Sequence, residues 1–239
     1  MHSEQASRLL IVLGAGSSIA SQVVPSLRGF DLYLLLSSHP GSIEILGKNH
    51  NFIVVEQDST HDFEIKFRRI TSDPKIVLKE VCVISFSGIT DSTVLKNQDS
   101  AEIAKIIQVN LTSIVYLVCA ALNCFSISKL RFVFLSSSRA IFGDRGTVMY
   151  STTKHALNGF VKALSLEYGR FGLRANVLSL GISEVGLASL VSDADSNRIV
   201  RRSANGKPIQ TESIASSLEF LFTNPDLNGT ILMCDGGYH

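Results

Sequence analysis

The chain is punctuated by short apolar runs that do not alternate with polar residues. Leu9–Leu13, Leu32–Leu36, Phe52–Val55, Val81–Ile84, Phe132–Leu135, Ala175–Leu180 and Ile231–Cys234 each have strand length. A strand with one solvated face alternates, whereas a run apolar throughout is buried on both faces. Between the runs the period changes. Ser17 to Leu27 carries apolar residues at 19, 23, 24 and 27, a helical spacing, and 100–124, 149–169 and 211–223 predict further helices. Buried strands alternating with helices predict an α/β fold. Its expected form is a Rossmann-type, doubly wound parallel sheet of about seven strands with helices on both faces. No linker or repeat divides residues 1–239, so the chain reads as one domain. Residues 37–49 and 186–208 are least committed to a core. The second segment follows the sixth run, at the edge where such sheets bind ligands, and predicts a lid.

Composition narrows the function classes. With 239 residues, 45% hydrophobic and 18% charged, the chain can bury a sizeable core. A net charge of +1, with aromatics not interleaved with Lys and Arg, argues against nucleic acid or an anionic membrane as partner. Cys82, Cys119, Cys124 and Cys234 form no CxxC pair, so neither a disulfide framework nor a metal site is expected. Leu9–Leu13 is too short for a signal h-region. Leu111–Phe125 carries Thr112, Ser113 and Asn123 and falls short of about 20 residues, which predicts a buried helix rather than a membrane span. A soluble cytoplasmic protein is the expectation.

Two features carry chemistry. The first run leads straight into Gly14-Ala15-Gly16-Ser17-Ser18-Ile19-Ala20. A strand, a turn of small residues and a helix start place backbone N–H groups where a phosphate can sit. The second run ends Leu36-Ser37-Ser38-His39, without the carboxylate that would bind an adenosine ribose. Its absence removes a repulsion of the 2′-phosphate and leans toward NADP over NAD, with Ser37, Ser38 and His39 as contacts. Further along, Tyr150 and Lys154 are four residues apart, which on a helix puts them on one face. An ammonium beside a phenol stabilises the phenolate, and a tyrosine so tuned can exchange a proton with a carbonyl oxygen. Ser137 closes the fifth run and brings a hydroxyl to the same edge.

Together these residues resemble the short-chain dehydrogenases/reductases, over about Leu9 to Gly237, and look most like the 3-oxoacyl-carrier-protein reductase branch. Gly14 to Ala20 stands where that family has its glycine loop, with Ser18 and Ala20 in place of two glycines. Asp58, followed by Ser59, matches the acid that contacts adenine. Ser85-Phe86-Ser87-Gly88 stands in place of N-N-A-G and puts a bulky ring in that segment. Asn110, Ser137, Tyr150 and Lys154 match the four catalytic positions. Gly181 matches the segment ending in P-G, with Leu180 for the proline. Ser183 lies near Val185, where many members have a threonine, and Asp235-Gly236-Gly237 matches the last strand's motif.

The resemblance implies an NAD(P)(H)-dependent oxidoreductase acting on a carbonyl or secondary alcohol. It implies Tyr150 as acid, Ser137 as holder of the oxygen, Lys154 as ribose ligand that lowers the Tyr150 pKa, and Asn110 as holder of a water. Gly14, Gly16, Ser17, Ser18, Ile19, Ser37, Ser38, Asp58, Ser59, Ser87, Gly88, Gly181 and Ser183 would bind the cofactor. A 3-oxoacyl thioester, possibly carrier-bound, fits the branch. A sugar-nucleotide or other polyol carbonyl is the alternative, and a non-catalytic cofactor-binding relative is the rival of another class. Arg198, Arg201, Arg202 and Lys207 could meet an anionic substrate, although solvated surface is the simpler reading. The 100–124 helix is apolar nearly all round, and the resemblance implies that it and 149–169 build a homodimer or homotetramer.

Overall fold

The computed structural model describes residues 7–37, 51–54, 59–90, 93–185 and 200–238. Ser38, His39, Asp58 and most of the expected lid, 186–199, lie outside them. Seven parallel strands form one sheet in the order β3-β2-β1-β4-β5-β6-β7. They are β1 (Ser7–Leu13), β2 (Leu32–Ser37), β3 (Asn51–Val54), β4 (Leu78–Ser85), β5 (Leu130–Ser137), β6 (Arg174–Leu180) and β7 (Ile231–Cys234). The chain winds outward from β1 in one direction, then crosses over to β4 and winds the other way. That reversal opens a crevice at the carboxyl ends of β1 and β4.

The unbroken apolar runs have a simple cause. Successive strand side chains point to opposite faces. Leu9, Ile11 and Leu13 enter a core shared with Phe63, Leu117 and Leu157. Leu10 and Val12 enter a second core with Val23, Leu218 and Phe222. The first core is roofed by α2 (Thr60–Thr71), α4 (Ser113–Cys124) and α6 (Val148–Tyr168). The second lies under α1 (Ser18–Val23) and α7 (Thr211–Thr223). Two short helices complete the fold, α3 (Ser100–Ile107) and α5 (Ser138–Phe142).

The structure departs from the sequence pattern in three places. Helix α2 was not expected, because only Phe63, Phe67 and Ile70 carry its inward stripe, Ile65 faces solvent and the other positions are polar. Ser59 and Asp62 cap it: the Ser59 hydroxyl donates to Asp62 Oδ2 at 2.7 Å and accepts from Asp62 N at 3.3 Å. The 17–27 helix stops at Val23 and continues as a 3₁₀ turn through Ser26, since Pro25 lacks the N–H that a longer helix needs. The 100–124 helix contains a π-turn over Gln108–Thr112, which separates α3 from α4 and carries Asn110. Over its 25 residues this helix is long and apolar enough to cross a membrane. Here Ile106, Ile114, Leu117, Val118 and Ala121 are buried inside the protein.

At the amino edge of the sheet, Glu80 gathers three guanidinium groups. Its carboxylate accepts from Arg8 Nε at 2.8 Å and faces Arg131 Nε at 3.3 Å and Arg174 Nη2 at 3.7 Å. Each arginine comes from a different strand, so one acid ties β1, β5 and β6 to β4. We expect Glu80→Gln to lower unfolding free energy by about 1–3 kcal/mol in urea titrations, the cost of leaving partly buried cations uncompensated, discounted for solvent access. An unchanged denaturation midpoint would show that the backbone carbonyls around the arginines suffice.

Candidate active site

The carboxyl edge assembles the expected residues from four elements. Ser137 is the last residue of β5 and the N-cap of α5. Its Oγ accepts from Arg139 N at 3.3 Å. Tyr150 and Lys154 occupy the first two turns of α6, and both are buried despite their polar ends, at 8% and 4% exposure. The Ser137 side chain acts on the Tyr150 phenol and favours its ionised form. Lys154 Nζ donates to the carbonyls of Leu135 at 3.0 Å and Ser87 at 3.2 Å. Ser136, one residue before Ser137, donates to the Lys154 carbonyl at 3.0 Å and seats the helix on β5.

Asn110 is fully buried and works through its amide. It accepts from Ile89 N at 2.8 Å, and donates to Ile89 O at 2.9 Å and Thr153 Oγ1 at 3.1 Å. It thereby joins the loop after β4 to helix α6. The π-turn is what aims this side chain at the loop instead of along the helix.

Burial pushes the Tyr150 phenol above its ordinary value, and the opposing influences are the Ser137 side chain and the charge of Arg139. The Lys154 ammonium donates to two carbonyls. Desolvation lowers the Lys154 pKa to about 8. Arg139, which no sequence pattern singled out, adds a charge that favours the phenolate. Its only signal was a cation two residues after Ser137.

The cofactor positions divide. Gly14 has φ +74°, and a Cβ there would lie 2.6 Å from Ser87 N, so only glycine lets the β1 turn pass this close to the β4 loop. Ser17 caps α1, accepting from Ala20 N at 3.2 Å. Ala15 is buried, Gly16 half-buried and Ser18 exposed, while Ile19 leans on the second core. Ser37 is buried at the end of β2. A Cβ on Gly88 would stand 3.1 Å from Lys154 Nζ, so the bare glycine keeps the space beside the ammonium clear. A Cβ on Gly181 would lie 2.8 Å from Asp235 Cα, a packing reason for that glycine. Ser183 donates to Val185 O. Ser59 is engaged as a helix cap, as described above. Phe86 turns into the second core at 7% exposure, which removes its bulk from the crevice.

These features fit a dinucleotide: a glycine turn without side chains, a helix start behind it, and a buried ammonium with two of its three N–H groups on protein carbonyls. Among the described residues no group of three or more His, Cys, Asp or Glu could hold a metal ion. A cavity of about 350 Å³ lies further along the same edge, lined by residues including Lys207, Gln210, Cys234 and Asp235. It does not include Tyr150, and the bonds above locate the chemistry better than this volume does.

Comparisons with known proteins agree with this geometry. A family model described as enoyl-(acyl carrier protein) reductase matches residues 77–239. The chain is 22% identical over 237 residues to carbonyl reductase family member 4 of Danio rerio, covering 97% of this chain and 98% of that protein. It is 31% identical over 159 residues to the 3-oxoacyl-[acyl-carrier-protein] reductase FabG of Chlamydia muridarum, covering 65% of this chain and 64% of that one. The solved structure of ElxO with NADP bound superposes with a TM-score of 0.84 at 20% identity, over 97% of this chain and 98% of that one.

The depressed Lys154 pKa gives a linkage prediction. Between about pH 8 and the unfolded value near 10.4, the unfolded chain holds a proton on this lysine that the folded chain does not. Its destabilising contribution is fully present below pH 8 and is lost as pH rises. Ligand-free wild type should therefore gain stability relative to Lys154→Met between pH 7 and pH 10, whatever their offset at pH 7. Parallel melting curves with pH would refute the buried ammonium.

Proposed function

Because the chain belongs to the short-chain dehydrogenase/reductase family and is an NAD(P)-dependent oxidoreductase acting on CH–OH and C=O groups, we propose that it reduces a 3-oxoacyl thioester with NADPH. The observation that carries the reading is the buried Tyr150 phenol on α6, with Lys154 one turn further along the same helix and Ser137 at the end of β5 acting on the phenol. The 3-oxoacyl-carrier-protein reductases among its relatives support the substrate class. The absence of a carboxylate in Leu36-Ser37-Ser38-His39 and the NADP carried by ElxO support the cofactor choice.

The cofactor, once bound, supplies the hydride. Everything else is done by the chain. Ser137 Oγ holds the substrate oxygen against the Tyr150 hydroxyl. Tyr150 passes its proton to that oxygen as negative charge builds there. Its raised pKa keeps the acid loaded through neutral pH. Lys154 reaches the ribose with the N–H not committed to Ser87 or Leu135. Asn110 holds the Ile89 loop and Thr153 in place, so that α6 presents Tyr150 and Lys154 in register. Gly14, Gly16 and Ser17 receive the phosphates, and Ser37 sits by the ribose end.

We also read the protein as a homodimer or tetramer. Leu166 on α6 is 85% exposed and Phe171, just beyond it, 49% exposed. Val115, Tyr116 and Phe160 are only partly covered. Such apolar surface on adjacent helices calls for a partner.

NADPH oxidation with acetoacetyl-CoA, run beside Tyr150→Phe, tests the function. We expect turnover in the wild type and a loss of at least about 100-fold in the variant, with NADPH affinity nearly unchanged. Turnover on a polyol or sugar-nucleotide ketone alone would replace the thioester reading. Tight NADPH binding without turnover on any carbonyl would identify a non-catalytic relative. Light scattering tests the assembly, and a strictly monomeric mass would refute it.

A further inference from the structure

Three consecutive serines stand where β5 passes into α5, and the proposed reaction uses only the middle one. Ser138 Oγ donates to Leu180 O at 3.3 Å and ties the start of α5 to the end of β6. Ser136 lies on the face of β5 that carries Phe132 and Phe134 into the first core, and it is 4% exposed. A hydroxyl placed there is costly unless it is bonded. Its partner is the Lys154 carbonyl, at 3.0 Å. That carbonyl lies inside α6, where it already serves the helix, so the backbone does not require this bond. Ser179 holds the matching place on β6, as the register partner of Ser136. It is fully buried too, yet its hydroxyl has no hydrogen-bond partner among the described residues. Of two neighbouring buried serines, only the one next to Ser137 in the chain is bonded to Lys154.

We propose that Ser136 is a positioning residue for the Lys154 ammonium. Lys154 is held at both of its ends by successive residues of β5. Its ammonium donates to Leu135 O at 3.0 Å, and its own carbonyl accepts from Ser136 Oγ at 3.0 Å. A lysine head rides on a flexible four-carbon stem, so its place is fixed only when the backbone beneath it is fixed. The Ser136 bond does that at the one residue whose head must be placed. The head has little room. Ser87 O stands 3.2 Å from Nζ, and a Cβ on Gly88 would stand 3.1 Å from it. A small slide of α6 along β5 would lengthen the bonds to Leu135 and Ser87 and re-aim the remaining N–H. Ser136 prevents that slide, and the next residue along the strand is Ser137, so one strand end sets both the lysine and the serine of the site.

This inference rests on Lys154 binding the nicotinamide ribose, and its test reads binding, not turnover. Calorimetry gives the affinities of NADPH and of adenosine 2′,5′-bisphosphate, which has the adenosine end of the cofactor but no nicotinamide ribose. Should NADH be the tighter cofactor, NADH and ADP replace this pair. Ser136→Ala should weaken NADPH about 5-fold, the scale of one net hydrogen bond, and leave the bisphosphate unchanged. Ser136→Cys, which keeps the size with only a weak donor, should behave like Ser136→Ala. Ser136→Thr keeps the hydroxyl and should stay near wild type. Ser179→Ala removes a buried hydroxyl that bonds nothing and should leave both affinities unchanged. Lys154→Met should weaken NADPH at least about 10-fold, the scale of a charged hydrogen bond. NADPH affinity unchanged in Ser136→Ala but lost in Lys154→Met would overturn the proposal, since a small residue would then be all that position 136 requires. An equal loss for NADPH and the bisphosphate in Ser136→Ala would overturn it too, by marking a general loosening. NADPH affinity unchanged in Lys154→Met would remove the ribose contact itself, and the proposal with it. Melting curves show that each variant is folded at the temperature of titration. Because no carbonyl substrate enters, failure of the thioester reading leaves this result standing.

Discussion

A lysine ammonium buried without a carboxylate beside it is costly, and the carboxyl edge of this sheet is organised around one. Lys154 is solvated by two backbone carbonyls, one at the end of β5 and one just past β4. Both lie just past the point where the β4–β5 pairing ends, at Ser85 and Phe134, and beyond a ladder a carbonyl on that side has no strand neighbour to serve. The lysine therefore reads the sheet's edge. It also sets what the loop after β4 can be, since a side chain at Gly88 would meet the ammonium. The same lysine fixes α6 at its first turns, and α6 carries Tyr150. Desolvation, normally a penalty, leaves Lys154 ready to gain whatever anionic or hydroxyl-bearing ligand arrives.

The two ends of the sheet solve their charge problems in opposite ways. At the amino edge one carboxylate, Glu80, serves three arginines from three strands. Much of the remaining donor capacity goes to backbone carbonyls, such as those of Gly172, Phe222 and Asn224. That arrangement is static and braces the fold. At the carboxyl edge one carboxylate, Asp144, is shared by two arginines from segments far apart in sequence. The first network holds strands to one another, and the second holds a loop to a tail across the mouth of the crevice.

Packing explains why substitutions in family positions are tolerated. Phe86 replaces a small polar residue without filling the crevice, because the alternation of the strand end directs it into the core under α7. Ser85 and Ser87 keep the segment polar: Ser87 N donates to Ser85 Oγ at 3.2 Å, and Ser87 O receives Lys154. What matters at this loop is a backbone close to Gly14 and a carbonyl aimed at the lysine, and serines supply both.

How much of this was legible in the chain depends on the range of the interactions involved. The strands were legible because an apolar run buried on both faces is a local pattern, and so were the helices with a broad apolar stripe. Helix α2 was not, because three inward residues among charged neighbours leave too faint a period. Tyr150, Lys154, Ser137 and Asn110 could be named from spacing and resemblance, since a four-residue step on a helix is fixed by local geometry. The sequence by itself thus determined the fold class and the candidate acid with its companion residues. Only the tertiary structure decided what each of them touches. It turned Lys154 to carbonyls, sent Phe86 inward, and brought Arg139, Asp144, Arg202 and Tyr238 together from segments up to 99 residues apart in number. Those outcomes depend on burial and on charges meeting through space, and a field between groups distant along the chain leaves no periodic trace in it.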